Sequence, residues 1–410
     1  MKRARLPLLA VLPVAFISFV VAVPFVLGDH PLRWESGSAV PKFVRQGQNA
    51  ETPAADESPE PTAAAPTGPA AAQGPKVDAE WKPGMPQWGV QIYWEDNAAS
   101  PEYLDKQARK QANYLVGLHA NSVSLSFPFA VGGKTSEKVS PSSKTPSPER
   151  LARVLGIFHD AGLRTTVRPL LDEKASLDVK AGQWRGNIEP ANRAAWFSSY
   201  QAFLAPYFKT AQDTKVATFV VATELNSLEG DTHWKALVDA GAKDFSGEIA
   251  YDANWDSYVA KRISMPVDHL GIDAYFPVKV ADDASVKTLV NGWNTWLNKK
   301  TTGSLPDITI SEAGIGAMDG AYRAPGDFTT KRAVNTKVQA TWYTAVCQVV
   351  QERKMSGVYW WSIYFDSDPN TAPDDNVASR LDFAGRPETE QAVKDCFTSG
   401  YAGPGTAATR

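Results

Sequence analysis

"VATFVVATELNSLEG" (216–230) is the stretch on which the reading of this chain turns. Apolar β-formers run straight into Thr223 and Glu224, and a polar segment follows. A strand that ends on a carboxylate needs a reason. Glu224 is a helix cap, a salt-bridge partner, or one half of a catalytic pair.

The same texture recurs on both sides. Strand candidates before it are "WGVQIYW" (88–94), "NSVSLSF" (121–127) and "RTTVRPL" (164–170). After it come "EIAYDANW" (248–255), "HLGIDAY" (269–275), "DITISEA" (307–313) and "GVYWWSIY" (357–364). Helical patterns such as "PERLARVLGIFHDAG" (148–162) and "ANRAAWFSSYQAFLAPYFKTA" (191–211) lie between most of them. Strands alternating with helices predict an α/β chain with parallel strands. Eight such units within residues 84–400 fit a (β/α)8 TIM barrel. A doubly wound open sheet is the alternative, but no glycine-rich phosphate turn follows the first strand.

In a barrel of this kind the active site sits at the C-terminal strand ends. Those ends carry Tyr93, Trp94 and Glu95; Arg168; Glu224; Asp252, Asn254 and Trp255; Asp273 and Tyr275; Glu312; and Trp360 and Trp361. Caps and salt bridges explain one or two such residues, not one at nearly every strand end. Glu224 on the fourth strand and Glu312 on the seventh lie across the barrel mouth from one another. Two facing carboxyls are what glycoside hydrolysis needs, one to protonate the leaving group and one to attack the anomeric carbon. A separation of about 5–5.5 Å supports retention, and one of about 6.5–9.5 Å inversion.

Composition narrows the class. A net charge of −3 leaves no basic footprint for nucleic acid. The 13 Trp, 13 Tyr and 17 Phe are partly core, and they suit a cleft where flat rings pack on pyranose faces. The five His are scattered and no CxxC pattern occurs, so no zinc site is expected. The two cysteines, Cys347 and Cys396, lie in helical patterns on either side of the eighth strand, which makes a disulfide between them geometrically possible.

The N-terminus reads as a membrane segment. Lys2, Arg3 and Arg5 precede an apolar run from Leu6 to Gly28, long enough to span a bilayer. The basic flank predicts a cytoplasmic N-terminus and an exported body. A cleaved signal peptide, giving a secreted protein, is the rival, but no small-x-small cleavage site follows. The expected organisation is an anchor at 1–28, an Ala/Pro-rich disordered linker at 29–83, a catalytic domain at 84–400 and a disordered tail at 401–410.

"WRGNIEP" (184–190), "VVATELNSLE" (220–229), "IAYDANW" (249–255), "LGIDAYFPV" (270–278) and "ITISEAGI" (308–315), in this order, resemble the β-mannanases of glycoside hydrolase family 113, in clan A. The resemblance spans roughly Trp88 to Trp361. It implies a (β/α)8 barrel, retention of configuration and no cofactor, with Glu224 as acid/base and Glu312 as nucleophile. Much of clan A has Asn before the acid/base. This chain has Thr223, so the contact to the substrate 2-hydroxyl comes from elsewhere, with Asn254 a candidate.

Chemistry suggests roles for the neighbours. Tyr275 is placed to hydrogen-bond the nucleophile. Arg168 is placed to supply positive charge to Glu312, or else pairs with Asp172 or Glu173. One of Trp360 and Trp361 floors the sugar site, since adjacent strand residues face opposite ways. Trp94, Trp184 and Trp255 extend that platform or pack. Asp252 and Asp273 contact hydroxyls or pair with arginine. The expected partners are a β-linked polysaccharide, foremost β-1,4-mannan, and the membrane. The alternatives are another β-glycan of the cell envelope under the same mechanism, or a non-catalytic glycan-binding barrel.

Overall fold

The computed structural model describes residues 74–260, 263–299, 304–327, 329–376 and 378–405. The expected membrane segment (1–28) and most of the expected linker lie outside the described residues. No helix among the described residues is long and apolar enough to cross a membrane.

Short polar motifs set the helix starts. Ser100-Pro101-Glu102 opens α1 (Pro101–Gly117), and Ser147-Pro148-Glu149 opens α2 (Pro148–Asp160). In each, the serine side chain accepts from the backbone N–H three residues on. Serine satisfies an orphan donor, proline needs no donor at the first helical position, and glutamate meets the positive end of the helix dipole.

The strands are β1 (Gln87–Tyr93), β2 (Ser122–Val131), β3 (Val139–Ser140), β4 (Arg164–Leu171), β5 (Thr218–Thr223), β6 (Glu248–Asn254), β7 (His269–Asp273), β8 (Ile308–Ala313) and β9 (Gly357–Tyr364). β3 is only a two-residue antiparallel appendage to β2. The other eight correspond to the eight expected strands. They pair in parallel in chain order, and β9 closes on β1. That closure makes a barrel and excludes the open doubly wound sheet. After β4 come the short α3 (Glu173–Ser176) and then α4 (Arg193–Asp213). Next come α5 (His233–Asp244), α6 (Trp255–Ala260), α7 (Val286–Leu297) and α8 (Thr336–Glu352), each before the following strand, and α9 (Pro387–Phe397) follows β9.

The apolar core fills the ring between barrel and helices. Leu125, Val221, Ile272 and Val358 face outward there with Phe158, Phe208, Trp293 and Trp342, all buried. The barrel interior is different. Its lower half is lined by Gln91, Ser124, Thr166, Thr218, Thr309 and Ser311, where many barrels stack branched apolar side chains.

Two irregularities bear on the site. β5 slips register between Val220 and Ala222, and β8 slips between Ile310 and Glu312. Such bulges re-aim side chains. Ser311 lines the interior, so strict alternation would turn Glu312 outward. The extra residue lets Glu312 face inward as well. Cys347 of α8 and Cys396 of α9 are bonded, with Cα atoms 5.7 Å apart. Residues at the edges of the barrel also touch it. The Val77 N–H donates to the Ala161 carbonyl, Trp81 lies under the Arg164 guanidinium, and the Tyr401 hydroxyl donates to the Met355 carbonyl.

Candidate active site

Arg168, on β4, organises one side of the barrel mouth. It is fully buried. Its Nε donates to Asp252 on β6 at 2.6 Å, and its Nη2 to Asp273 on β7 at 2.8 Å. Its Nη1 lies 2.6 Å from Glu312 Oε1 on β8. Asp172 and Glu173, the other partners considered for Arg168, bond elsewhere: Asp172 caps α3 and Glu173 holds Arg185. Burial alone would lower the guanidinium's pKa. The carboxylates of Asp273, Glu312 and Asp252 outweigh it and push the pKa well above the ordinary value. Asp273 moves the other way from a free carboxyl. Burial raises its pKa, Arg168 opposes this, and the charges of Glu312, Asp252 and Glu224 reinforce it.

Room for this cluster comes from a missing side chain. A Cβ on Gly271 of β7 would lie 2.2 Å from Asp252 Oδ1 and 2.0 Å from Ser311 Oγ. Only glycine leaves both in place. Above the cluster, the Tyr275 hydroxyl donates to Glu312 Oε2 at 2.7 Å. Burial, and then the Glu312 charge, raise the phenol's pKa well above its usual value, so it stays a donor. Glu312 therefore takes one charge-assisted bond and one hydroxyl bond on its two oxygens.

Glu224 is held by other means. It follows β5 in a left-handed backbone conformation, φ 53°, which side-chain-bearing residues rarely adopt. Its N–H donates to the Asp252 carbonyl. Asn254 Nδ2 donates to its Oε1 at 2.8 Å, and Arg185 Nη1 to its Oε2 at 3.3 Å. Burial pushes the carboxyl up to about 8, with the Arg185 charge opposing and the Glu312 charge adding to the rise. The arrangement thus sets a carboxyl that keeps its proton near neutrality beside one bound to a cation and a phenol. Such a pair has the chemistry to serve as an acid and a nucleophile.

The two tryptophans of β9 part as alternation requires. Trp360 stacks on Tyr343 of α8, with centroids 4.4 Å apart. Trp361 turns inward, near Tyr93 and under the Arg168 guanidinium at 5.8 Å. The remaining tryptophans differ from a simple platform. Trp94 is 1% exposed and packed on Phe365, so it offers no face to a ligand. Trp255 is buried edge-on against Phe276 and Trp296. Trp184 is half-buried and folds over Gly186, where a Cβ would strike its ring. Asn254, considered for a substrate hydroxyl, gives its amide to Glu224 and accepts from the Asp256 N–H. Glu95 pairs with Lys144.

Arg185 was not singled out from the sequence, although it lies in "WRGNIEP". Its signal was available: an arginine in a motif otherwise short of charge, on a loop at the catalytic face.

The profile of Glycoside Hydrolase Family 113 matches residues 92–379. The chain belongs to glycoside hydrolase family 113. Solved structures of the family share its fold. One described as a GH113 β-1,4-mannanase has a TM-score of 0.62 and 17% identity, covering 78% of this chain and all of the other. The GH113 β-mannanase AaManA from Alicyclobacillus acidocaldarius, in complex with ManMIm, has a TM-score of 0.59 and 20% identity, over 77% of this chain and 98% of its own. No curated protein sequence matches the chain significantly. Family membership makes this family 113 chain a glycoside hydrolase.

Proposed function

We propose that this family 113 enzyme cleaves β-linked polysaccharide, foremost β-1,4-mannan, with retention of configuration. The observation that carries the reading is the unequal treatment of two buried carboxyls at one barrel mouth. Glu224, kept protonated by burial, donates to the glycosidic oxygen. Glu312, bonded to Arg168 and Tyr275, attacks the anomeric carbon. Glu224 then takes a proton from water, which hydrolyses the glycosyl-enzyme. Mannan is the foremost substrate because the solved family members compared above are described as mannanases.

The test is rescue. Glu224→Ala should still cleave an activated aryl glycoside in the first step, because that leaving group needs no proton. The intermediate should accumulate, and azide should restore turnover with a β-glycosyl azide product. A β-azide from Glu312→Ala, with an α-azide from Glu224→Ala, would mean the roles are reversed. A polysaccharide panel with reducing-end detection assigns the sugar.

We further propose that residues 1–28 remain as a membrane anchor with the barrel outside the cytoplasm. The basic flank before an apolar run supports this, and so does the Cys347–Cys396 bond, which suits an oxidising compartment. A mature N-terminus between positions 25 and 50 by terminal sequencing would refute it.

A further inference from the structure

The loop joining β4 to α4 delivers two charged side chains to Glu224, and the roles proposed above leave both unused. Arg185 is 4% exposed and Glu173 is 2% exposed. Glu173 Oε1 accepts the Arg185 backbone N–H at 2.9 Å and lies 2.9 Å from Arg185 Nε. Main chain and side chain of Arg185 are thus held by one carboxyl. Only Nη1 reaches Glu224, and its 3.3 Å contact is the looser of the two.

The loop is fastened so that this sharing is fixed. Asp172 caps α3, accepting from the Ala175 N–H. Asn187 accepts from the Trp184 N–H and donates to the Gly182 carbonyl. Ser227, just beyond Glu224, donates to the Ile188 carbonyl at 2.5 Å and ties the two loops together.

We propose that Arg185 and Glu173 are a positioning pair that sets the upper pH limit of the acid step at Glu224. The inference rests on the reading of Glu224 as acid/base. A close, exclusive ion pair with Arg185 would hold Glu224 as a carboxylate with no proton to give. With no cation near it, a buried carboxyl would bind its proton too tightly to transfer it. Glu173 draws the guanidinium to itself and leaves Glu224 a fraction of its charge. The other groups that face Glu224 are Glu312, Arg168, Asp273, Tyr251, Tyr275 and the Asn254 amide. Glu312, Arg168, Asp273 and Tyr275 form the nucleophile's side. The Arg185–Glu173 pair makes no hydrogen bond to that side, and Arg185 reaches Glu312 and Arg168 through charge alone. Directions agree: Arg185 lowers the Glu224 pKa and Glu173 raises it.

The test compares pH profiles of kcat/KM on the best glycan of the panel. Arg185→Met should move the basic limb up by about one pH unit, and Glu173→Gln should move it down by about one unit. With an activated aryl glycoside, whose departure needs no acid, neither substitution should move that limb. A merely structural role would not give shifts of opposite sign on one substrate and none on the other. Should Arg185→Met fold poorly, Arg185→Lys, which keeps the charge but loses the fork that reaches both carboxyls, should move the limb up by less than one unit, and a limb moved down would overturn the inference. Limbs that stay put, or that move together, in folded protein overturn the inference. Azide rescue of Glu224→Ala separates the two readings. Rescue with immobile limbs sinks the inference alone, and unchanged glycan cleavage by Glu224→Ala sinks both.

Discussion

Glu224 and Glu312 are both buried carboxyls near the C-terminal ends of bulged strands, yet the chain holds them by opposite means. Around Glu312 the barrel itself supplies the partners. Arg168, Asp252 and Asp273 come from three strands and Tyr275 from just beyond one of them. Around Glu224 a loop supplies the charge through Arg185, and the backbone is forced into a left-handed turn. Strands repeat their geometry, so the surroundings of Glu312 are specified in register. The surroundings of Glu224 depend on a loop, and loops can be retuned without rebuilding the barrel.

Substitutions can break this comparison, and they fall in order of size. Glu312→Ala should lose at least roughly 10⁴-fold in kcat/KM with poor and activated leaving groups alike, since no remaining group can attack. Single-turnover rates on an aryl glycoside check this, and a surviving burst would undo the assignment. Gly271→Ala should push Asp252 and Ser311 apart and shift the whole Arg168 cluster. The expected losses are about 10²-fold in kcat for a misplaced nucleophile and about 1–3 kcal/mol of stability from overpacking. Normal activity in this variant would show that the cluster does not position Glu312. Tyr275→Phe removes one bond to a charged group and should lower kcat roughly tenfold, or about 1.5 kcal/mol.

The smallest effect is one of pH. Burial raises the Glu224 pKa to about 8, so this acid holds its proton through neutrality and releases it above that value. Cleavage of an unactivated glycan should therefore fall about tenfold per pH unit above roughly 8. The same raised pKa makes a stability contribution that is complete below the unfolded carboxyl value and is lost as pH rises through about 8. A profile that is flat from pH 7 to 10 would leave Glu224 without the role of acid.

The barrel was legible because its strands alternate with helices at a length that admits few other folds, and every barrel strand falls where the pattern placed it. Glu224, Glu312, Arg168, Tyr275 and Asn254 were legible because strand ends in a barrel point to one mouth. Arg185 was not, because it sits in an irregular loop where no periodicity says which way a side chain turns. Glu173 entered the sequence reading only as an alternative partner of Arg168. In space it is α3 that carries Glu173, and it meets Arg185 across the loop. Trp94 and Trp255 were unreadable for another reason. A tryptophan just past a strand can cover a cleft or plug a gap, and the gap depends on Phe365 and Phe276, which belong to other loops.

The backbone at Glu224 carries a consequence for evolution under heat. A left-handed conformation costs a residue with a Cβ about 1–2 kcal/mol, and glycine avoids that cost. Glu224→Gly should therefore melt above Glu224→Ala in a thermal scan, although both lack the acid. Among variants that have lost the carboxyl, selection for thermal survival alone would favour glycine at this position. A screen for a hardier variant of this enzyme has to score turnover in every round, because a residue strained by the fold is the one proposed to start the reaction.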